Sequence, residues 1–173
     1  MISFKRAIPA DFQAIVDIGT ISVKQAHLGS CPEEELDDYM SRNYNEQAIR
    51  QQLEDDRNIY HILYYDQKPA GFSKLVLDEA RAEIVEVNVA KLDRIYLLPD
   101  YFDKKLGKDL MAFNVEFAKQ NRQSGIWLVT WVGNARAIRF YTNAGFSIIG
   151  SYQFQVTPTT SNLNHLMYKK IRD

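Results

Sequence analysis

The sequence predicts a mixed α/β domain built around one central sheet. Three observations carry this. Segments with apolar residues at helical spacing alternate with short aromatic and β-branched runs. Two of those runs, IYHILYYD at 59–66 and FSKLVLD at 72–78, flank a turn and read as a hairpin. IWLVTWV at 126–132 is almost continuously apolar, as in a strand covered on both faces.

The elements follow in order. Residues 2–7 form a short strand, and Pro9 with Asp11 opens a helix carrying Phe12, Ile15, Val16, Ile18 and Val23. A second helix begins within CPEEELDDYM at 31–40. Pro32 suits its first turn, and Glu33 to Glu35 suit the positive end of its dipole. A third runs from about Glu46 to Leu53. After the first strand of the hairpin, QKPAGF reads as its turn. The stretch 85–99 contains the next strand, closed by Pro99. Leu106, Leu110, Phe113 and Phe117 form the stripe of an amphipathic helix. ARAIRFYTNAG is a short helix with Asn134 as N-cap and Gly145 as left-handed C-cap. Strands near 146–155 and 163–170 finish the chain.

Bulk properties exclude several classes. A length of 173 residues fits one domain, 1–173, with one core. The hydrophobic share of 46% and charged share of 25% are ordinary for a globular protein. A formal net charge of -1 gives no footprint for nucleic acid. The single Cys31 excludes an internal disulfide and suits a reducing cytoplasm. MISFKRAIPADF has no signal-peptide apolar run, and no stretch approaches membrane-spanning length, so a cytoplasmic protein with no membrane partner is expected.

FDKKLGKDLM, at 102–111, is the most suggestive segment. It is not a Walker loop: Phe102 stands where the first glycine belongs, and Asp109 where Ser or Thr belongs. GxGxxG is also absent. What remains is a strand, a short loop, Gly107 and a helix. A helix start offers unpaired N–H groups and a positive dipole end to an anion, and Lys104, Lys105 and Lys108 would reinforce it. The same lysines equally suit a solvated helix start.

Context extends this reading. RIYLLPDYFDKKLGKDLM followed by IWLVTWVGNARAIRFYTNAGF resembles the GNAT superfamily of acetyl-CoA-dependent N-acetyltransferases. The matching positions are Asn134, Ala137, Ile138, Phe140, Tyr141, Gly145 and Phe146, and the opening RAIPADF is similar to the family's first strand and helix start. Within the family, IWLVTW with NARAIRFY is most similar to bacterial spermine/spermidine N-acetyltransferases. The chain departs from the Q/R-x-x-G-x-G/A loop: Phe102 takes the Q/R place and Lys105 the first glycine place. A lysine there must avoid positive φ or accept a cost of about 1 kcal/mol.

The resemblance implies a mixed, mostly antiparallel central sheet flanked by helices. It also implies acetyl-CoA as cosubstrate, direct acetyl transfer to a small-molecule amine, and a homodimer as a common assembly. By the same resemblance Tyr141 is the acid for the departing thiolate, and Phe102, Asp103, Lys104, Lys105, Leu106, Gly107 and Lys108 hold the pyrophosphate. The backbone of Ile95, Tyr96 and Leu97 meets the pantetheine amides, with the Leu97 N–H as oxyanion donor, and Asn134 caps its helix and touches the pantetheine arm.

For the general base, Glu86 and Asp93 are both candidates, acting through a water. His27, His61 and His165 lack metal-ligand spacing and receive no catalytic role. The acceptor expectation is a polyamine, attracted by Glu33, Glu34, Glu35, Asp37 and Asp38; an amino acid, an aminoglycoside or a protein N-terminus are the alternatives. A non-catalytic acyl-CoA sensor is a further alternative. Trp127 and Trp131 share one strand face, for packing or for a cleft wall.

Overall fold

The computed structural model describes residues 1–171. The strands are β1 (Ile2–Arg6), β2 (Asn58–Tyr65), β3 (Lys68–Val76), β4 (Val89–Leu97), β5 (Gly125–Trp131), β6 (Ser147–Gln155) and β7 (Ser161–Lys170). The helices are α1 (Phe12–Ala26), α2 (Glu33–Asn43), α3 (Glu46–Glu54), α4 (Leu106–Gln120) and α5 (Ala135–Asn143). Among the described residues the strands make one sheet in the order β1-β2-β3-β4-β5-β7-β6. All neighbours are antiparallel except β4 and β5, so the expected mixed, mostly antiparallel sheet is present. No helix among the described residues is long and apolar enough to cross a membrane.

Period-two alternation divides the core. Tyr60 and Ile62 of β2 face one layer, where Ile15 and Ile18 of α1, Leu36 of α2 and Ile49 of α3 cover them. Ile59, Leu75 and Ile126 face the other layer, with Met111 and Ala118 of α4 and Phe140 and Tyr141 of α5. Local chemistry fixes the starts. Asp11 accepts from the Ile8 N–H at 3.0 Å ahead of α1, and Asn45 caps α3 by accepting from the Ala48 N–H at 2.8 Å.

Two expectations need correction. QKPAGF is not a turn. Asp66 and Gln67, at φ 46° and 66°, make a two-residue loop, and β3 already begins at Lys68. Pro69 is tolerated because it sits beside the irregularity at Leu63/Tyr64. In α4 the buried stripe is Leu106, Leu110, Met111, Asn114 and Ala118, rather than a stripe ending in Phe113 and Phe117. Those two rings lie half-buried on the flank, edge-on to His61 at 4.8 Å each, and Phe113 stacks on Phe4 at 4.3 Å.

Gly71 of β3 is required by close approach. A Cβ there would lie 2.6 Å from the Tyr96 carbonyl and 2.9 Å from Leu97. Because β4 carries the cleft described next, Gly71→Ala acts on the site as well as on the fold. Urea unfolding should show a loss of roughly 1–3 kcal/mol, as for overpacking, with turnover falling in parallel.

Candidate active site

The sheet opens between its two parallel strands. β4 and β5 pair only at Val89↔Gly125, Ala90↔Ile126 and Lys91↔Trp127, whereas β5 stays paired with β7 as far as Trp131↔Asn164. Beyond Lys91 the strands part, and a cleft of about 710 Å³ fills the gap. Its walls come from the end of α1, the second half of β4, the loop before α4, the end of β5 and α5.

The β4 wall offers backbone groups. The Leu98 N–H donates to the Ala70 carbonyl of the adjoining segment, at 2.8 Å. Strand alternation therefore turns the Leu97 peptide groups to the opposite, cleft-side edge. The Leu97 carbonyl accepts from the Ser22 hydroxyl at 3.0 Å, which ties α1 to this wall. Ile95, Tyr96 and Leu97 all line the cleft.

The loop at the cleft's basic end runs from a 3-10 turn, Pro99–Lys104, directly into α4. Lys105 takes the left-handed conformation, φ 61° and ψ 7°, and among the described residues no side chain caps the α4 N-terminus. The strain of a lysine at a glycine-like position is thus accepted, and the first-turn N–H groups of α4 are left without a side-chain partner. Phe102, Lys105, Gly107 and Lys108 line the cleft. Asp103 and Lys104 do not: Asp103 is exposed, and the Lys104 ammonium lies over the Tyr65 ring at 5.1 Å. Leu106 is core. The Arg136 guanidinium of α5 stacks on Phe102 at 3.5 Å and also lines the cleft. A cation from α5 thus stands beside the position whose own polar side chain is missing.

Lys105→Gly separates backbone from charge. Relief of left-handed strain and the extra unfolded-state entropy of glycine, each about 1 kcal/mol, oppose one another. The melting temperature should barely move, so a fall in anion affinity, read by calorimetry, would report the ammonium.

On the facing side, Asn134 caps α5 by accepting from the Ala137 N–H at 3.0 Å and donates to the Ala26 carbonyl at 3.2 Å. Gly145 closes α5 at φ 88°. Tyr141 projects from α5 into the cleft, packed edge-on against Phe140 at 5.4 Å and Phe146 at 6.0 Å. Burial pushes its phenol well above the usual range, so it is a proton donor throughout the neutral region. No group among the described residues hydrogen-bonds its hydroxyl.

Glu86 is not brought to this cleft. It lies before β4, 3.9 Å from the Lys170 ammonium. It stands outside β4, which begins at Val89, and is not among the residues that line the cleft. Asp93 does reach the cleft, but Lys91 at 2.7 Å and Lys74 at 3.0 Å engage its carboxylate. Burial opposes its ionisation; Lys74, Lys91 and Arg94 outweigh burial and hold the carboxyl far below its usual range. It is a poor proton acceptor.

His27 had no motif to mark it. The turn after α1 sets its Nε2 3.4 Å from the Tyr96 hydroxyl inside the cleft, and burial pushes its imidazole down, so it is neutral. Arg94 likewise carried no sequence signal. Of the tryptophans, Trp127 packs, donating to the Glu79 carbonyl at 2.7 Å, and Trp131 lines the cleft.

Comparison with known proteins gives the same outline. The sequence model of the acetyltransferase (GNAT) family matches residues 21–146. An uncharacterized N-acetyltransferase of Lactobacillus delbrueckii subsp. lactis is 28% identical over 121 residues, 70% of each chain. The spermidine N(1)-acetyltransferase of Thermoplasma acidophilum is 24% identical over 145 residues, 80% of this chain and 83% of its own. Among solved structures, the PaiA N-acetyltransferase of Thermoplasma acidophilum in complex with coenzyme A superposes with a TM-score of 0.77 at 21% identity, covering 98% of this chain and 99% of its own. The ribosomal-protein-S18-alanine N-acetyltransferase of Escherichia coli superposes with a TM-score of 0.72 at 18% identity, covering 100% and 96%.

Proposed function

The chain belongs to the GNAT acetyltransferase family, whose acyl donor is acetyl-CoA, and from that premise we propose direct acetyl transfer onto the primary amine of a small molecule. The observation that carries this reading is the opening between β4 and β5. One cleft joins an uncapped helix start with Lys105, Lys108 and Arg136 at one end to the free Tyr141 hydroxyl.

Acetyl-CoA supplies a thioester whose carbonyl carbon accepts the amine nitrogen. The nitrogen–carbon bond forms, the carbon–sulfur bond breaks, and the products are an amide and free thiol. The Leu97 N–H, on the open edge of β4, donates to the carbonyl oxygen as negative charge gathers there. Tyr141 gives its proton to the departing sulfur. The amine's surplus proton leaves through water, with neutral His27 as the acceptor within the cleft. The first turn of α4, with Lys105 and Lys108, faces the pyrophosphate. Ile95 and Leu97 offer backbone partners to the pantetheine arm, whereas the Tyr96 peptide groups, expected to join them, face β3 by the same alternation, and Asn134 fixes the α5 wall opposite. We place the reaction in the cytoplasm, where the free Cys31 would stay reduced.

A polyamine acceptor has one support, the spermidine-acetylating relative. The acidic run offers it little. Glu33 and Asp37 pair with Lys24, Asp38 pairs with Arg42, and Glu35 accepts from Thr157. None of these carboxylates lines the cleft.

Two measurements test the reading. Calorimetry should show acetyl-CoA binding, and a thiol-release assay over a panel of amines should show acceptor-dependent turnover. Binding without turnover on any amine would remove the transfer step. No binding would remove the whole proposal.

A further inference from the structure

The acceptor end of the cleft is built around a cation. The register of β3 on β4 steps from Lys74↔Arg94 to Leu75↔Leu92, so Asp93 is the extra residue of a bulge. The bulge sets Asp93 and Arg94 together on the cleft wall. Asp93 is the carboxylate among the lining residues, and Lys91 at 2.7 Å and Lys74 at 3.0 Å already engage it. Arg94 comes no nearer to it than 4.0 Å. Counting these four groups, three cations face one anion.

The Arg94 side chain is only 10% exposed. Its Nη1 donates to the Tyr60 hydroxyl at 2.9 Å, and its guanidinium lies 4.6 Å from the centre of the Tyr44 ring. An arginine carries five N–H donors in a rigid fork. Among the described residues the Tyr60 hydroxyl is the one hydrogen-bond acceptor it meets. A buried guanidinium without a close carboxylate of its own is costly, and a planar two-oxygen anion satisfies it best. A cationic acceptor such as a polyamine would meet repulsion at this end.

We propose that the acceptor is a small primary amine that also carries a carboxylate, an amino acid or a short aminoalkanoate, and that the Arg94 guanidinium grips this carboxylate while the amine faces the thioester. The inference rests on the acetyltransferase reading above. It assigns to Arg94 the choice of acceptor, which membership of the family does not specify.

The test pairs each carboxylate-bearing amine with its decarboxylated match in the thiol-release assay: alanine against ethylamine, and γ-aminobutyrate against propylamine. Putrescine and spermidine serve as cationic competitors. The carboxylate member should lead its match by about 10-fold or more in kcat/KM, since a hydrogen bond to a charged group contributes about 1.5–3 kcal/mol. In Arg94→Gln that lead should collapse, mainly through a raised KM for the carboxylate member. Arg94→Lys should keep part of it. Acetyl-CoA affinity, measured by calorimetry on each variant, reports the integrity of the rest of the cleft. Equal or better turnover of the alkylamines or polyamines by the unaltered protein overturns the proposal while acetyl-CoA binding leaves the acetyltransferase reading standing. A carboxylate preference that survives in Arg94→Gln overturns the role of Arg94. Absence of acetyl-CoA binding overturns both.

Discussion

Tyr141→Phe should lower kcat by about 100-fold, the lower end of what a positioned general acid contributes. Acetyl-CoA affinity should stay within about twofold, because the lost hydroxyl serves the departing sulfur and not the ground state. The structure makes this substitution clean. The Tyr141 ring is held by Phe140 and Phe146, contacts that a phenylalanine keeps, and among the described residues its hydroxyl has no partner to orphan. The pH dependence follows from burial, which pushes the phenol up. The donor form therefore persists past the ordinary tyrosine value of about 10, and no falling alkaline limb from Tyr141 should appear below it. Stopped-flow thiol release across pH, with calorimetry of acetyl-CoA on both proteins, checks each part. Equal kcat in the two proteins would leave the thiolate to be protonated by water.

Much of this arrangement was legible in the chain. The α5 start, the Asn134 cap and the left-handed Gly145 follow from local rules that act over a few residues. FYTNAGF kept its tyrosine in a context that placed it in the cleft. The polar end was illegible for a physical reason. Arg94 and Asp93 look like alternating strand charges, and only a bulge, set by pairing with β3, turns them into one cluster. His27 ends α1 as an unremarkable turn residue until β4 packs beside it. Arg136 reaches Phe102 across the gap between α5 and the loop, a contact between segments that no spacing in sequence predicts. Glu86 shows the opposite failure: a carboxylate near the right strand in sequence sits beside Lys170, outside the residues that line the cleft.

Asp93→Asn should destabilise the protein by about 3–5 kcal/mol in urea unfolding at pH 7, the expected cost of removing one partner from a buried ion cluster. Lys74 is buried, and with the carboxylate gone its ammonium, that of Lys91 and the Arg94 guanidinium repel one another without an anion between them. Two controls separate charge from packing. Lys74→Met added to Asp93→Asn should recover part of the loss, because it removes a buried cation along with the anion. The pH dependence supplies the second. The Asp93 carboxyl lies far below its unfolded value of about 3.9, so its stabilisation is fully present above that pH and fades as pH falls below it. Buried His61, pushed down to about 4, weakens both proteins alike as pH falls from about 6.5, since only the unfolded chain takes up that proton readily. The gap between unaltered protein and Asp93→Asn should therefore stay constant from neutrality to about pH 4.5 and narrow below it. A gap that narrows already near pH 6 would mean that Asp93 is not the ionised centre of the cluster.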